Sequence, residues 1–353
     1  MLLLMVVGSM TGYAQSNCFE YEDANNTIIN GLTAEGLAAS SLTIPKEVMT
    51  IRSGAFSSSS AKVSALIIEA GGNPAFASAL FGERENPLGD IQIKGSSMTV
   101  ANIHALFTSL GAQGALSTVY VEGYSDEWSD ITETGVLASD VEVRLPAALV
   151  SDQQFGAAKV YGRFTLEKDL VTFCGNATFE DTDDGSNMLF YVADGYNKAE
   201  GYIHIQSVDY VVQGRGVLIH NAKNTSTYAD LPRVSLGSIP SIYSTNMLKG
   251  VTEATTIGRT EGDKTNLVLS NGAFHPTSGG TIGANKAYLQ VPTSALSREM
   301  LIIDFSDETT EIDLTPTPSP KGEGNNYYDL HGRKVTRLEK GLYIKNGKKY
   351  VIR

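Results

Sequence analysis

Five short apolar segments divide the first half of this chain at nearly constant intervals: Leu42-Thr43-Ile44, Leu66-Ile67-Ile68, Ile91-Gln92-Ile93, Val119-Tyr120-Val121 and Val143-Arg144-Leu145. Steps from Ile44 to Ile68, Ile93, Val121 and Leu145 are 24, 25, 28 and 24 residues. One strand and one return segment per two dozen residues is the period of a leucine-rich solenoid, in which each coil buries its apolar edge only against its neighbours. Strand alternation turns Leu42 and Ile44 inward and Thr43 outward. Such an array presents an extended surface rather than a catalytic cleft. Its outward residues are Thr43, Ile67, Gln92, Tyr120 and Arg144, with Lys94 and Glu122 just beyond the strands. A mixed polar, aromatic and charged row of this kind suits recognition of a protein or a glycan.

The first coil is the most regular. Pro45 has no N–H to give a ladder and ends its strand, Val48 and Ile51 fill the next layer, Gly54 permits a tight bend and Phe56 closes the core. The string Leu42-Thr43-Ile44-Pro45, Val48, Ile51, Gly54-Ala55-Phe56 resembles the repeat of BspA-like leucine-rich surface proteins. Later units are degenerate, with Phe76 and Phe107 keeping the aromatic and Leu145-Pro146 restoring the strand-proline junction. The resemblance implies a short, irregular α/β leucine-rich-repeat solenoid over 16–160 and a role in adhesion.

From Phe164 to Asp313 the period is lost and alternation takes over, as in Tyr202-Ile203-His204-Ile205 and Ala287-Tyr288-Leu289-Gln290-Val291, with Asp194-Gly195 and Asn271-Gly272 as turns. This predicts an antiparallel β-sandwich over 161–313. Phrases such as Asn246-Met247-Leu248-Lys249-Gly250-Val251 resemble a β-module that follows such repeats in surface proteins of Gram-negative anaerobes. Alternating prolines at 316, 318 and 320 mark an extended linker over 314–325. The tail over 326–353 predicts short strands forming a β-hairpin, with Asn346-Gly347 at its turn. Its Leu330-His331-Gly332-Arg333-Lys334-Val335 and Lys340-Gly341-Leu342-Tyr343-Ile344 resemble the sorting domain of the Por (type IX) secretion system, which implies export machinery as a partner.

The apolar run Leu2–Val7, with small residues at Gly12 and Ala14, predicts a signal peptide over 1–15, although no basic residue precedes it; the competing reading is a buried N-terminal strand. No other apolar run reaches the roughly 20 residues of a membrane-spanning helix. Together these features predict a secreted or outer-membrane-associated protein of a Gram-negative bacterium. Export would permit one disulfide, between Cys18 and Cys174. A net charge of −12 disfavours nucleic acid as a partner.

Chemistry-bearing patterns are sparse. The five histidines at 104, 204, 220, 275 and 331 share no metal-ligand spacing, and no nucleophile elbow occurs, so neither a metal nor another cofactor is expected. The acidic run Asp181-Thr182-Asp183-Asp184-Gly185 places glycine fifth, where a calcium loop has an oxygen ligand, and reads as a solvated turn. The sequence thus predicts a noncatalytic exported scaffold. One alternative is a carbohydrate-binding module using Tyr191, Tyr196, Tyr202, Tyr210 and Tyr288 as platforms, with Trp128 lying outside it. The least favoured is a hydrolase using Asp181 and Asp183, whose spacing supports no paired acid and base.

Overall fold

The computed structural model describes residues 16–58, 60–81, 88–110, 117–125, 137–166, 168–182, 188–199, 201–221, 228–296, 300–305, 327–328, 334–335, 341–345 and 348–352. The expected leader and linker, Trp128 and the acidic turn from Asp183 onward lie outside the described residues. The chain divides into two compact units, Met1–Phe305 and Ser306–Arg353. Both are β-rich.

The first unit begins with β1 (Phe19–Tyr21), β2 (Ile28–Leu32), α1 (Ala34–Ala38), β3 (Ser41–Ile44), β4 (Thr50–Ile51), β5 (Ala65–Ile68), β6 (Ala75–Phe76), β7 (Asp90–Ile93), α2 (Val100–Leu110), β8 (Thr118–Val121), β9 (Glu142–Pro146) and β10 (Lys159–Thr165). Strands β3, β5, β7, β8 and β9 pair in parallel without a slip. Ile44 lies opposite Ile68, Ile68 opposite Ile93, Ile93 opposite Val121, and Tyr120 opposite Arg144. In each strand the second and fourth residues are buried and the first and third half-buried, so one face of the ribbon is core and the other is open. A one-residue slip would turn all those apolar groups outward, and that fixes the register.

A second parallel ribbon, β2, β4 and β6, aligns Ile29 with Ile51 and Ile51 with Phe76. The return segment is therefore itself partly strand. Beyond it α2 takes over, capped by Thr99, whose hydroxyl accepts the Asn102 amide, and buried along the stripe Ile103, Leu106, Phe107, Leu110. Gly54 has φ +74°, and Ala79 repeats that left-handed bend one coil later at φ +57°. The amides of Gly54 and Phe56 donate to the carbonyls of Ala79 and Leu80. The Phe56 ring accordingly stacks on Phe81 at 5.5 Å. Phe76, expected to carry that aromatic, sits instead on β6 beside Ile51 because the bend falls after it.

The chain continues through β11 (Leu170–Phe173), β12 (Thr178–Glu180), β13 (Met188–Asn197), β14 (Tyr202–Ser207), β15 (Tyr210–Val211), β16 (Val217–Asn221) and β17 (Tyr228–Val234). It then forms β18 (Leu248–Val251), β19 (Thr255–Ile257), β20 (Thr260–Glu261), β21 (Lys264–Ser270), β22 (Ala273–Pro276), β23 (Gly280–Ile282), β24 (Lys286–Pro292) and β25 (Leu301–Asp304). The boundary expected at 160/161 falls inside β10. That strand is a sixth parallel rung on β9 and also the antiparallel partner of β17, so the ribbon sheet runs on into the later region as nine strands. A chain break there would orphan one edge of β10.

The second large sheet, ordered β11-β16-β13-β14-β25-β22-β21-β24-β18, is antiparallel except for β14 with β25. It curls until its ends meet: the Thr172 hydroxyl of β11 donates to the Ala287 carbonyl of β24 and accepts the Ala287 amide. Tyr191, Ile203, Leu218, Leu267, Leu289 and Ile303 pack together on one side of it. Phe190 and Ile219, on the other side of β13 and β16, join Phe164 and Phe179 in the core that continues from the ribbon. Instead of two free-standing packed layers, this region divides its strands between the continuation of the ribbon sheet, the curled sheet that shares a core with it, and the separate pair β19–β23. Gly162 makes that junction tight, since a Cβ there would lie 2.8 Å from Phe179 Cζ. Among the described residues no helix is long and apolar enough to cross a membrane.

In the second unit β26 (Tyr327–Tyr328), β27 (Lys334–Val335), β28 (Gly341–Lys345) and β29 (Lys348–Ile352) form an antiparallel sheet ordered β27-β26-β28-β29. Lys345 opposite Lys348 closes the expected hairpin around positions 346 and 347.

Candidate binding surfaces

The outward row is continuous in register: Thr43, Ile67, Gln92, Tyr120, Arg144 and then Tyr161 of β10. Its two ends differ in chemistry. At the β9–β10–β17 end the side chains are spent on one another. Asp230 accepts from Arg144 Nη1 at 3.0 Å and takes Arg163 Nε and Nη2 at 2.7 Å each. Arg144 Nη2 also donates to Glu142 at 2.6 Å. The Arg163 guanidinium lies 4.1 Å from the ring centroids of both Tyr120 and Tyr228, and Arg144 lies 5.8 Å from that of Tyr161. Burial opposes the charge on Arg163, but the Asp230 carboxylate outweighs it and raises the guanidinium above its ordinary value. Burial pushes the Tyr120 hydroxyl up, with Arg163 partly countering. Two of the expected contact residues, Tyr120 and Arg144, are thus parts of a clamp joining the ribbon to β17.

Glu122 is also spoken for: it accepts from the Gln92 side-chain amide at 3.2 Å and from the Gly95 backbone amide at 2.9 Å. Glu69 does the same for the Lys46 amide one coil earlier, at 3.0 Å. A carboxylate just past a strand staples the turn of the preceding coil. Thr43, Ile67 and Lys94 lie toward the β3 end of the row, away from the clamp.

The expected cysteine pair is absent: Cys18 and Cys174 are both free and buried. Cys18 lies under α1, where its carbonyl blocks any Cβ at Gly36, whereas Cys174 packs against Gly250 near the end of the curled sheet. Their surroundings are built from different elements, so neither offers the other a partner. Burial raises both thiols, Cys174 to about 11.

The tyrosines of the alternative carbohydrate site do not form a platform. Tyr191 and Tyr288 are in the cores, because β13 and β24 are covered on both faces. The Tyr210 hydroxyl donates to Glu180 at 3.2 Å, while Tyr196 and Tyr202 face Ile203 and Asn197 across the β13–β14 pair on opposite sides of the sheet. Asp181 is held through its backbone amide to the Asp209 carbonyl at 2.7 Å, and its intended partner Asp183 lies outside the described residues. His204 Nδ1 sits 2.5 Å from Asp194 across the same pair. Among the described residues no group of three or more His, Cys, Asp or Glu is placed to hold a metal ion.

Two grooves lie among the described residues. One, about 610 Å³, lies between the β9–β10 end and β24, with Lys168 and Lys286 at its rim and Phe164 and Phe173 beneath. The other, about 580 Å³, lies beside β12 and β17 and contains Arg233. Neither was visible as a pattern, because each gathers residues from segments dozens of positions apart. Asp230 and Arg163 were missed for the same reason. The only local hint was the alternation of Lys159-Val160-Tyr161-Gly162-Arg163, whose step from Leu145 is shorter than the repeat.

Comparisons with the models of known protein families, with curated proteins and with solved structures found no match to this chain.

Proposed function

We propose that this protein is a noncatalytic recognition scaffold of the leucine-rich-repeat type, exported to the surface of a Gram-negative bacterium and used in adhesion to a protein or glycan. The observation that carries the reading is the slip-free parallel register of Ile44, Ile68, Ile93 and Val121, with apolar groups on one face and Thr43, Ile67, Gln92 and Lys94 along or beside the other. The resemblance of the first coil to BspA-like repeats and of the tail to a type IX sorting signal supports surface address. The clamp narrows the recognition surface to the β3 end, since displacing Arg144 or Arg163 from Asp230 would strand a half-buried charge.

The test is binding of the full chain to immobilised extracellular-matrix proteins and to an oligosaccharide array, repeated with the double variant Ile67→Glu, Lys94→Glu. The reading expects at least one ligand whose affinity falls about tenfold or more in the variant, as for a charge reversal within a contact patch. A variant that keeps every detected interaction at parental strength refutes the assignment of this face. Recovery of the chain solely from the cytosol of its native cells refutes the surface address.

A further inference from the structure

The groove beside β17 contains a cation whose charge the fold does not neutralise. Arg233 stands on β17 opposite Phe179 of β12, and its Nη1 donates to the carbonyls of Ser151 and Gln153, at 2.7 Å each. That loop is braced from within: Gln153, 6% exposed, donates from its side-chain amide to the Leu149 carbonyl and accepts the Ser151 amide, both at 2.6 Å. The guanidinium is therefore fixed along one nitrogen by neutral acceptors on a rigid loop. Among the described residues no carboxylate lies within 4 Å of it, and no partner takes Nε or Nη2, which carry three of its five N–H donors. Burial works against the charge on Arg233, opposed by the more distant Asp152, which also lines the groove.

The rest of the lining mixes Asp152, neutral polar groups and the apolar Ala177, Val212, Val234, Leu236 and Ile239. Asn176, Thr178, Gln213, Ser235 and Ser238 face the space, and the Thr178 hydroxyl oxygen, already accepting the Gln213 amide at 3.0 Å, keeps its proton to give. Ile239 stands 51% exposed on the edge and offers a small apolar contact. At about 580 Å³ the space falls in the usual range for small-ligand sites, roughly 300–1,000 Å³.

We infer that this groove binds an acidic saccharide, with the sugar carboxylate on Nε and Nη2 of Arg233 and the ring hydroxyls on Asn176, Thr178 and Ser235. A planar carboxylate matches the free edge of the guanidinium fork. One cation with Asp152 in the same lining suits a single negative charge better than the two of a phosphate monoester. Short hydroxyl and amide side chains beside the apolar Val212, Leu236 and Ile239 match a sugar ring, which offers both hydroxyls and an apolar face. The site shares no residue with the ribbon face and does not depend on it.

The test uses the full-length chain and calorimetric titration with oligosaccharides ending in glucuronic or sialic acid, each beside its methyl ester. The acid should bind about tenfold or more tightly than the ester, the worth of one charged pair. Arg233→Gln should cost a similar factor. Because that change also unfastens the Ser151–Gln153 loop, Asn176→Asp serves as the second variant: it adds a negative charge to the groove without touching the brace, and should weaken the acid about tenfold at an unchanged melting temperature. The ribbon variant Ile67→Glu, Lys94→Glu should leave this binding intact, which separates failure of one site from failure of the other. Equal affinity for acid and ester, no binding of any acidic saccharide at millimolar concentration, displacement by inorganic phosphate at equal affinity, or indifference to Asn176→Asp would each overturn the assignment.

Discussion

Asp230 is the residue whose removal should cost most for the least loss of volume. Its carboxylate is 11% exposed and receives three N–H groups from two guanidiniums, Arg144 at 3.0 Å and Arg163 at 2.7 Å through both Nε and Nη2. Removing one partner of a buried ion pair typically costs about 3–5 kcal/mol, chiefly because the remaining charge is stranded. Here Arg144 keeps Glu142 at 2.6 Å and is 27% exposed, while Arg163, 15% exposed, keeps no carboxylate among the described residues and rests on Tyr120 and Tyr228. Asp230→Ala should therefore cost about 3 kcal/mol. Asp230→Asn, which retains one acceptor, should cost about 2 kcal/mol on the same grounds. Urea unfolding followed by circular dichroism would measure both, with a melting shift on the order of 5 °C for the alanine. The pair Arg163→Leu, Asp230→Leu should recover much of the loss, since it removes the stranded charge with the partner. An Asp230→Ala protein within about 0.5 kcal/mol of the parent would mean that the clamp is decoration, as exposed ion pairs usually are.

Three further outcomes follow from local geometry. Gly162→Ala drives a Cβ into the Phe179 ring and should destabilise by about 1–3 kcal/mol, read from the same unfolding curves; a neutral result would contradict the close approach of β10 to β12. Burial raises the Cys18 thiol and lifts that of Cys174 to about 11, so at pH 8 both should resist a thiol reagent in the native protein and react together on unfolding. Rapid native labelling of Cys174 would refute its burial. Burial also lowers His220, against a weaker opposing pull from Asp169, so this ring stays neutral in the folded state where the unfolded chain would already be protonated. The contribution of His220 to stability is then complete above the unfolded value near 6.5 and is lost as pH falls from there toward the folded value. His220→Gln should flatten the stability profile below about pH 6.5, and an unchanged profile would count against it.

What the sequence made legible was local. The period of two placed Leu42 and Ile44 inward, Pro45 marked the strand end, and the spacing of Ile44, Ile68, Ile93 and Val121 predicted neighbours that the ladder pairs residue for residue. Gly54 was recognisable as a bend, but its counterpart in the next coil is Ala79, a residue whose type gives no warning of a positive φ. That is why the layer aromatic was sought at Phe76 and found at Phe81. The outward row could be read, whereas its fate could not. Arg144 and Asp230 are 86 residues apart, and nothing in either neighbourhood announces the pairing. The same holds for Arg233 and the Ser151–Gln153 loop, which meet only because β17 folds back beside β10 and β12. Ala287-Tyr288-Leu289-Gln290-Val291 was legible as an alternating strand, yet all five residues are buried because the curled sheet is covered on both sides there.

The account stands or falls on the ribbon. The most direct measurement is a methyl NOE map of the full chain labelled at isoleucine and valine methyls. It should contain an unbroken ladder from Ile44 to Ile68, Ile93 and Val121, together with Ile29 to Ile51 in the second ribbon. Cross-peaks that skip a rung, or that join these residues to positions one removed along the strand, would contradict it.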